Sequence, residues 1–576
     1  MAKLNQILIA SLILVIVVGL FVGFFLRPPP PTTTSPATTS TTSPTPTASL
    51  PSLEEIASTK QPESVPEKFL PLKLPWLLKK GQERTDMFYA SGLPRVPHLV
   101  FKVNISANIG GELAEALIEG DKIFLADHQG IYALSRDNGS LIWGVEVYSD
   151  SLEGRATSSL KPVSKWKALG LWGFVQAYGL GNKLYVGTSS SRGGEGDAYL
   201  IALNKDNGEL VWKVKLESEG NATSKTSVTS NLIVVGGRIF VGSVRDEGYV
   251  FCVSEDGVLQ WRSKVGANVR GLAYGSDILY VYSEPTTKLY AINSKTGQVI
   301  WVFKHDEMLS TPVYKNGKIF LTDSSGKLLA ISEEGKLLWK KSLGISGDVN
   351  SNSYFAVDDH YIYAVRGLGE RPRNIFKLDF DGKVLGNFTM EKDEDGGRPL
   401  VSDGVVILPV MQYNKYNKVY LLWKGLFKLS EFKLGEKEEI WMPKTSAGYG
   451  EIYIVANPTT LYKFADFRKP IMGDVKVTVD GGLIINASVC DKESGLYGVY
   501  LAYSINGSNW NYKQMSISIR YLIEPVGGYG FGETLFPYDV RVEIAKGTTT
   551  VEFYVIAIDN VGNYETTKLY AYLIRK

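Results

Sequence analysis

The sequence predicts an all-β protein that follows an N-terminal membrane segment. Three observations predict this class. A repeat of strand, loop, strand, tight turn and strand fills the middle of the chain, and the last hundred residues alternate apolar and polar side chains as half-buried strands do. A long apolar segment precedes both. Because 576 residues exceed what one core usually holds, several domains are expected, namely residues 1–27, 28–68, 69–470 and 471–576.

Composition and charge are those of a folded soluble protein. Apolar residues make up 44% and charged residues 21%, and 62 basic against 60 acidic residues leave a net charge of +2. No global field attracts nucleic acid, so we expect no nucleic-acid partner. Cys252 and Cys490 lie far apart and form no Cys-x-x-Cys pair, which predicts two buried free thiols and no metal site of zinc type.

The N-terminal segment Ile7–Leu26 is 20 residues long, carries no charge and is apolar except for Ser11. As a helix it spans roughly 30 Å, the thickness of a bilayer core. Phe24, Phe25 and Leu26 fit a signal-peptide cleavage site poorly, so an uncleaved anchor is preferred to a cleaved signal. The segment therefore predicts a single-pass protein.

Residues 28–68 begin with a run rich in Pro, Thr and Ser, which cannot bury a core. Such a segment predicts an extended, O-glycosylated stalk, or else a flexible linker. Six Asn-x-Ser/Thr sequons follow and, with the stalk, favour an extracellular position for the bulk of the chain. The glycosylation candidates are Asn104, Asn138, Asn221, Asn387, Asn486 and Asn506.

The repeat has one invariant signature, a turn glycine followed four residues later by tryptophan. Gly supplies the positive φ that a tight hairpin demands. The first copy reads Asp137-Asn138-Gly139 before Trp143, and four further copies keep the spacing. The five tryptophans are Trp143, Trp212, Trp261, Trp301 and Trp339.

Degenerate copies continue after the fifth. The sixth keeps the turn Asp381-Gly382 but has Gly386 where tryptophan is expected, and the eighth lacks its outer strand. The segment His98–Ile105 reads as a lone outer strand before the first full copy. Pairing it with the last copy would close a ring without free edges. The pattern predicts an eight-bladed β-propeller, with seven blades as the alternative.

The turn-Gly-x-x-x-Trp pattern resembles the tryptophan-docking motif of pyrroloquinoline-quinone (PQQ) type propellers. The resemblance implies that each tryptophan packs between neighbouring blades. Enzymes of that family hold PQQ in the channel, often beside calcium and adjacent cysteines. This chain has no adjacent cysteines, so we predict a non-enzymatic member without a cofactor, with PQQ or calcium as the alternative.

Loop lengths distinguish the two faces of such a propeller. One face carries short glycine turns, while the other carries loops of variable length, including the Tyr148–Gly173 insertion with its two tryptophans. Binding sites collect on variable loops held by a rigid scaffold. Arginines near the channel mouth on this face would attract an anionic group. The candidate ligand-binding residues are Trp166, Trp172, Arg270, Arg371, Arg373 and Arg398, with Arg366 beside them.

The C-terminal residues 471–576 resemble immunoglobulin-like or fibronectin-III-like modules of prokaryotic surface proteins. The stretch Ala557-Ile558-Asp559-Asn560-Val561-Gly562-Asn563 fits a late strand and its turn in such modules. Asp491, Glu493 and Asp559 are preferred as turn caps, and calcium binding between the loops is the alternative.

These features predict a membrane-anchored surface protein whose propeller loops bind a protein or a glycan. The sequons favour an archaeal source, and the few Cys and Gln residues favour a thermophile. Two alternatives stay open, a PQQ- or calcium-dependent oxidoreductase and a subunit of a cell-envelope assembly. Absorbance with added PQQ would separate the enzyme from the other two.

Overall fold

The computed structural model describes residues 52–57, 65–66, 68, 70, 87–88, 93–94, 97–105 and, with gaps, 116–575. The gaps are residues 127–129, 147–165, 169–173, 189–197, 218–226, 229, 245–247, 267, 346–353, 367–372, 403–404, 413–416, 435–442, 457–458, 467, 481, 492–495, 518–534, 545–546 and 560–562. The predicted anchor Ile7–Leu26 lies outside the described residues. Within the described part, no helix has the length and apolar character needed to cross a bilayer.

Three strands precede the repeats: β1 (Ser52–Glu55), β2 (Met87–Phe88) and β3 (His98–Asn104). The first four repeats contain β4 (Leu117–Glu119), β5 (Lys122–Ala126), β6 (Gly130–Ser135), β7 (Leu141–Glu146), β8 (Trp166–Ala168), β9 (Phe174–Leu180), β10 (Lys183–Thr188), β11 (Tyr199–Asn204), β12 (Leu210–Lys215), β13 (Ser227–Val228), β14 (Ile233–Val235), β15 (Arg238–Val244), β16 (Gly248–Ser254), β17 (Leu259–Gly266), β18 (Asn268–Gly275), β19 (Ile278–Glu284), β20 (Lys288–Asn293) and β21 (Val299–Lys304).

The later repeats contain β22 (Val313–Lys315), β23 (Lys318–Thr322), β24 (Lys327–Ser332), β25 (Leu337–Ser342), β26 (Phe355–Val357), β27 (Tyr361–Val365), β28 (Asn374–Asp379), β29 (Val384–Thr389), β30 (Glu394–Gly396), β31 (Leu400–Ser402), β32 (Val405–Gln412), β33 (Asn417–Trp423), β34 (Lys428–Leu434), β35 (Lys444–Gly448), β36 (Glu451–Ala456) and β37 (Thr460–Ala465). The C-terminal strands are β38 (Ile471–Val479), β39 (Leu483–Cys490), β40 (Leu496–Ile505), β41 (Asn511–Gln514), β42 (Ser516–Ile517), β43 (Phe536–Val542), β44 (Thr548–Asp559), β45 (Tyr564–Thr566) and β46 (Tyr570–Arg575).

Eight sheets in the described part repeat one antiparallel order, and we number them as blades 1 to 8. Blades 1 to 7 are built around β4–β7, β9–β12, β14–β17, β18–β21, β22–β25, β26–β29 and β31–β34. Blade 8 contains β35, β36 and β37, and its outer strand is β3 from the other end of the repeats. This is the pairing that the sequence predicts. It covers β37, which would otherwise be the outer edge of the last repeat.

The first strand of each blade is the innermost. First strands of neighbouring blades contact one another, among them β4 with β9, β9 with β14 and β18 with β22. The first strand of blade 8, β35, contacts β4 of blade 1. One apolar core accordingly runs through blades 1, 2, 3, 7 and 8 without interruption.

Side-chain alternation explains why these segments form strands. The second and third strands of a blade are buried on both faces, as in β16, where six of seven residues are buried. The outer strands alternate between exposed and half-buried residues, as in β12. In blades 1 to 6 the turn before the outer strand contains a left-handed glycine, for example Gly257 at φ 81° and Gly335 at φ 79°.

The C-terminal strands form two sheets that share one core. One sheet has the order β38-β39-β43-β42, and the other β1-β46-β44-β40-β41 with β45 beside β44. Buried residues of both sheets, such as Leu483 and Val551, pack together. The described residues between 471 and 575, together with β1, therefore form a β-sandwich.

The structure corrects the predicted extent of the stalk. The strand β1 (Ser52–Glu55), inside the segment assigned to the stalk, pairs with β46 in the antiparallel direction. Ser52 lies opposite Arg575, and Glu55 lies opposite Tyr572. Val65 also packs into the sandwich, beside Tyr554 and Ile558. Composition alone missed this strand because a four-residue edge strand is held by backbone hydrogen bonds and one apolar contact, Leu53.

Candidate functional site

The five docking tryptophans all join one blade to the next. Each sits opposite a small residue of the neighbouring strand, as Trp301 does opposite Ala291, just before a β-bulge. The indole N–H then donates to a backbone carbonyl in the turn of the following blade. The five bonds are Trp143 to Lys205 O (2.8 Å), Trp212 to Glu255 O (3.0 Å), Trp261 to Ser294 O (3.2 Å), Trp301 to Glu333 O (2.7 Å) and Trp339 to Phe380 O (2.9 Å).

The turn glycines are required by this packing. A Cβ on Gly257 would lie 2.7 Å from Cδ2 of Trp212, and one on Gly335 would lie 2.8 Å from Cδ2 of Trp301. These glycines thus supply both the left-handed backbone and the room for the ring. Each tryptophan therefore packs and hydrogen-bonds between neighbouring blades.

The junction between blades 6 and 7 has no indole. Gly386 lies opposite Lys377 at the equivalent register, and a Cβ there would meet nothing within 4 Å. The turn of blade 7 has Leu426 in place of glycine, at φ 63°, and its buried side chain packs with Tyr363. At this junction the apolar contact is therefore made by Leu426 of the turn, and the glycine, Gly386, lies in the outer strand.

At the junction between blades 8 and 1, a lysine makes the hydrogen bond that an indole N–H makes at other junctions. Lys463 lies opposite Phe101 of β3, and its Nζ donates to Arg136 O at 2.7 Å, the carbonyl that accepts an indole N–H elsewhere. Lys463 also pairs with Glu451 at 2.8 Å and is 5% exposed at the side chain. A Cβ on Gly139 would lie 2.9 Å from the Phe101 ring. The closing strand thus docks on blade 1 as the tryptophans do.

Two candidate arginines on the variable face are already paired. Arg270 Nε lies 2.5 Å from Glu284 Oε2 and keeps a side-chain exposure of 30%. Arg373 is 9% exposed, pairs with Asp395 at 2.7 Å, and donates through Nη1 to Glu394 O at 2.6 Å. Arg373 therefore holds blade 6 against blade 7, whereas Arg270 retains surface that a ligand could reach.

The other candidate residues are less concentrated than the sequence predicts. Arg398 is half-buried, and Arg366 donates through Nε to Leu343 O at 3.1 Å. Arg371 and Trp172 lie outside the described residues. Trp166 begins β8, which pairs in parallel with β7 on the outer edge of blade 1. This part of the insertion is accordingly at the rim rather than over the channel, because the outer strand offers unpaired backbone groups.

A buried charged network next to Arg373 was missed by sequence reasoning. Glu394 is fully buried, pairs with Lys418 and accepts a hydrogen bond of 2.8 Å from Tyr420 OH. Burial lowers the pKa of Lys418, but the hydrogen bond and charge of Glu394 outweigh this and raise it overall. Burial and Glu394 together raise the pKa of Tyr420. The signal in the sequence was a run of charged residues at 391–395 in place of an apolar strand.

His305 is also paired with a buried carboxylate. Its Nε2 lies 3.1 Å from Asp323 Oδ2, and both side chains are almost wholly buried. Burial raises the pKa of Asp323, but hydrogen bonds from Lys327 N, Ser325 and His305 outweigh burial and lower it. The pair joins the end of blade 4 to blade 5.

Three carboxylates meet where the last repeat passes into the sandwich. Oxygens of Asp466, Asp491 and Asp559 all lie within 4.8 Å of one another, and Asp466 and Asp559 are buried. Asn563 bridges the junction, since its Nδ2 donates to Asp466 O at 3.2 Å and to Asp559 Oδ2 at 2.8 Å. Oxygen ligands of this kind suit a hard cation such as calcium.

Burial, followed by the charges of Asp491 and Asp466, raises the pKa of Asp559 to about 7. The sequence analysis prefers Asp491, Glu493 and Asp559 as turn caps and leaves calcium binding as the alternative, and Glu493 lies outside the described residues. Asp466 was missed because it belongs to the propeller strand end, 25 residues before Asp491. Asp559 also caps its turn, accepting from Asn563 N at 2.8 Å.

The sequons differ in accessibility. Asn104, Asn138, Asn387 and Asn506 are exposed, Asn486 is half-buried, and Asn221 lies outside the described residues. Cys252 and Cys490 are both buried and neither is in a disulfide, as expected from their spacing.

Comparison with known proteins identifies the type of repeat. Residues 127–269 and 246–405 match the family model PQQ_2, described as "Outer membrane protein assembly factor BamB". The repeats within the matched residues are similar to those that this model describes. The matched region begins within blade 1 and ends at the first residue of β32 in blade 7, so it excludes blade 8 and the sandwich.

Curated relatives are distant. The outer membrane protein assembly factor BamB of Yersinia pestis is 24% identical over 52% of this chain and 73% of its own length. BamB of Escherichia coli is 25% identical over 32% of this chain and 59% of its length. A tetrathionate hydrolase of Acidithiobacillus ferrooxidans is 24% identical over 38% of this chain, and the chain spans 40% of that protein.

Solved structures of similar architecture include BamB from Moraxella catarrhalis, with a TM-score of 0.43 and 14% identity over 65% of this chain and 98% of that one. The dihydro-heme d1 dehydrogenase NirN has a TM-score of 0.45 and 11% identity over 67% of this chain and 82% of that one.

Proposed function

We propose that the protein is a scaffold of the cell envelope that binds a partner protein through the variable-loop face of its propeller. The observation that carries this proposal is the BamB-like repeat, because the relatives in which it recurs include assembly factors. In the described residues the repeat tryptophans all join blades, which leaves recognition to the loops between them.

The sheet order supports an eight-bladed ring as the scaffold. Blades 1 to 8 share one order, and β35 of the last contacts β4 of the first. An immunoglobulin-like assignment is proposed for the C-terminal sandwich on the resemblance of its late strand and turn. A rigid ring with loops on one face suits recognition that needs little rearrangement.

We place this scaffold outside the cell, on the apolar segment Ile7–Leu26 and the Pro/Thr/Ser-rich stalk that follows it. An archaeal cell surface with glycans on the exposed sequons agrees with the composition. Membrane fractionation and glycosidase treatment of the full chain test this location. A chain that stays in the soluble fraction would contradict it.

A pair of charge-reversal variants tests the binding face. Arg270 lies at the start of the first strand of blade 4, on the variable face, and is partly exposed. Lys295 lies in a turn on the opposite face and is 59% exposed in its pair with Asp277. We expect Arg270→Glu to reduce capture of an envelope protein by about tenfold, the effect of roughly 1.4 kcal/mol, and Lys295→Glu to leave it unchanged.

The measurement is quantitative mass spectrometry of proteins cross-linked to the purified full chain in envelope extract. Equal capture by both variants would reject the variable face as the binding surface. Greater loss with Lys295→Glu would assign binding to the turn face instead.

A second candidate function is a PQQ- or calcium-dependent oxidoreductase. The similarity to a tetrathionate hydrolase keeps an enzyme among the candidates, although that relative is matched over only 40% of its length. Titration of the purified protein with PQQ and calcium, followed by absorbance and by dye reduction, decides between the two functions. Reduction of the dye would replace the scaffold proposal with an enzyme.

A further inference from the structure

The outer strands of blades 2 to 5 are the edges of their sheets. Among the described residues each pairs with one strand only, β12 with β11, β17 with β16, β21 with β20 and β25 with β24. The side that faces away from the sheet offers a row of backbone N–H and C=O groups. An edge of this kind accepts an extended polypeptide segment as a further strand.

The side chains of these strands alternate between the neighbouring blade and solvent. In β21, Trp301 and Phe303 are half-buried, whereas Ile300, Val302 and Lys304 are exposed. β12 and β25 have the same burial pattern. Because each outer strand begins at a short turn, the exposed face of β21 is apolar beside the short turns and basic toward the variable loops.

Charge distinguishes these four outer strands from the others. Together they contain seven basic residues and no acidic one, in a protein whose net charge is +2. Among the remaining outer strands, β7 and β34 contain Glu146 and Glu431, and β29 has no charged residue. Each of the four strands has at least one exposed lysine, namely Lys213, Lys264, Lys304 and Lys340.

The same four strands contain no glycosylation sequon. Two other outer strands do, with Asn104 in β3 and Asn387 in β29, and both asparagines are exposed. β3 also has one lysine, Lys102. A glycan on Asn104 or Asn387 would obstruct strand addition at that edge. The edges of blades 2 to 5 have no such obstacle in their own sequence.

Addition of a strand at an outer edge already occurs within this chain. β8 pairs in parallel with β7, the outer strand of blade 1, with Gly144 opposite Trp166 and Glu146 opposite Ala168. The fold therefore leaves room for a further strand beside the outer strand of a blade. In the described part of the chain, no segment occupies the equivalent place in blades 2 to 5.

We propose that the outer strands of blades 2 to 5 bind extended, acidic segments of a partner protein as added strands. The backbone edge selects a polypeptide, the apolar residues select apolar side chains opposite them, and the lysines select carboxylates. Lipid headgroups offer no matching row of backbone groups. A flat bilayer would also meet the outer strands of few blades at once, because the blades diverge from contacting first strands. This surface is separate from the variable-loop face, and either surface can fail its test without the other.

Photo-cross-linking of a defined peptide to the purified full chain tests the surface. The probe is the capped peptide Glu-Thr-Val-Thr-Val-Thr-Glu with a photoreactive group on its cap. Its sequence is the same in both directions, so it presents a glutamate to the basic end in parallel and antiparallel pairing alike. We expect mass spectrometry to find cross-links on β12, β17, β21 and β25, and about tenfold fewer with Lys-Thr-Val-Thr-Val-Thr-Lys. Equal labelling by both peptides, or labelling confined to the variable loops, would overturn the proposal.

Charge reversal in one blade uses the other blades as internal controls. We expect Lys304→Glu to lower the cross-link yield on β21 at least about threefold relative to β25, because like charges replace an attractive pair. Lys476→Glu is the matched control, since Lys476 is an exposed lysine on β38, an edge strand of the sandwich. It should leave the yields on all four outer strands unchanged. A fall on β21 no larger than that on β25 would contradict selection by charge.

Competition by vesicles separates an acidic peptide from an anionic lipid surface. Phosphatidylglycerol and phosphatidylcholine vesicles are added in turn to the cross-linking reaction. We expect equal yields on the four outer strands with both. Selective loss with phosphatidylglycerol would assign these strands to anionic lipid and overturn the proposal.

Discussion

Each docking tryptophan contributes packing and one hydrogen bond to a junction between blades. Among the half-buried tryptophans, Trp301 makes the shortest indole hydrogen bond, 2.7 Å to Glu333 O. Its ring centroid lies 6.0 Å from that of Tyr280. We expect Trp301→Ala to lower the free energy of unfolding by about 3 kcal/mol, because it removes a large ring from a junction.

Urea denaturation measures this loss. Leu338→Ala is the control, since Leu338 is 46% exposed on the outer strand of the next blade. The control should change stability by less than about 0.5 kcal/mol. Similar losses for both residues would contradict the docking role.

Asp559 makes stability depend on pH. Its pKa is raised from an ordinary value of 3.8 to about 7 by burial and by Asp491 and Asp466, so the folded protein favours the protonated carboxyl. The resulting stabilisation is complete below pH 4 and is lost as pH rises to about 7. In thermal unfolding experiments from pH 4 to 8, the Tm should therefore fall as Asp559 loses its proton.

Asp559→Asn is the matched control for this titration, because it keeps the shape and the turn-capping oxygen but cannot ionise. We expect the fall in Tm between pH 4 and 7 to be smaller in this variant than in the wild type. An unchanged pH profile would show that Asp559 does not titrate in this range.

At the scale of the element, the sequence predicted what depends on local pattern. The glycine turns, the alternating strands and the pairing of His98–Asn104 with the last repeat follow from spacing and from the need to remove free edges. The compensating residues at imperfect junctions could not be predicted, since Lys463 and Arg136 are 327 residues apart. Arg373 looked like a ligand-binding group because nothing local shows that Asp395 lies beside it.

The junction between blades 6 and 7 can be returned to the tryptophan pattern. Gly386→Trp alone would place an indole where Leu426 packs, and we expect it to destabilise the protein by about 1 to 3 kcal/mol through overpacking. Adding Leu426→Gly removes the competing side chain and relieves a left-handed leucine. The double variant should therefore be at least as stable as the wild type.

A double-mutant cycle by chemical denaturation measures the coupling of these two positions. Leu426→Gly alone should be destabilising, because it leaves a cavity beside Tyr363. Additive effects would mean that the two residues do not share one space.

For the whole molecule, the composite sandwich predicts unequal effects of two N-terminal truncations. Removal of residues 1–51 keeps β1, whereas removal of residues 1–57 exposes the edge of β46. We expect the second truncation, and not the first, to increase proteolysis of the sandwich while the propeller stays resistant. Equal resistance would show that β1 is dispensable.

The pairing of β1 with β46 also determines how the protein responds to tension. A pull applied at residue 51 reaches the sandwich edge first, before it can act on β3, the strand that completes blade 8. The two strands are antiparallel and joined over four residues, so they would separate one pair at a time at low force. Under tension the pairing of β1 with β46 would then break first, while the strand pairs of the ring stay intact.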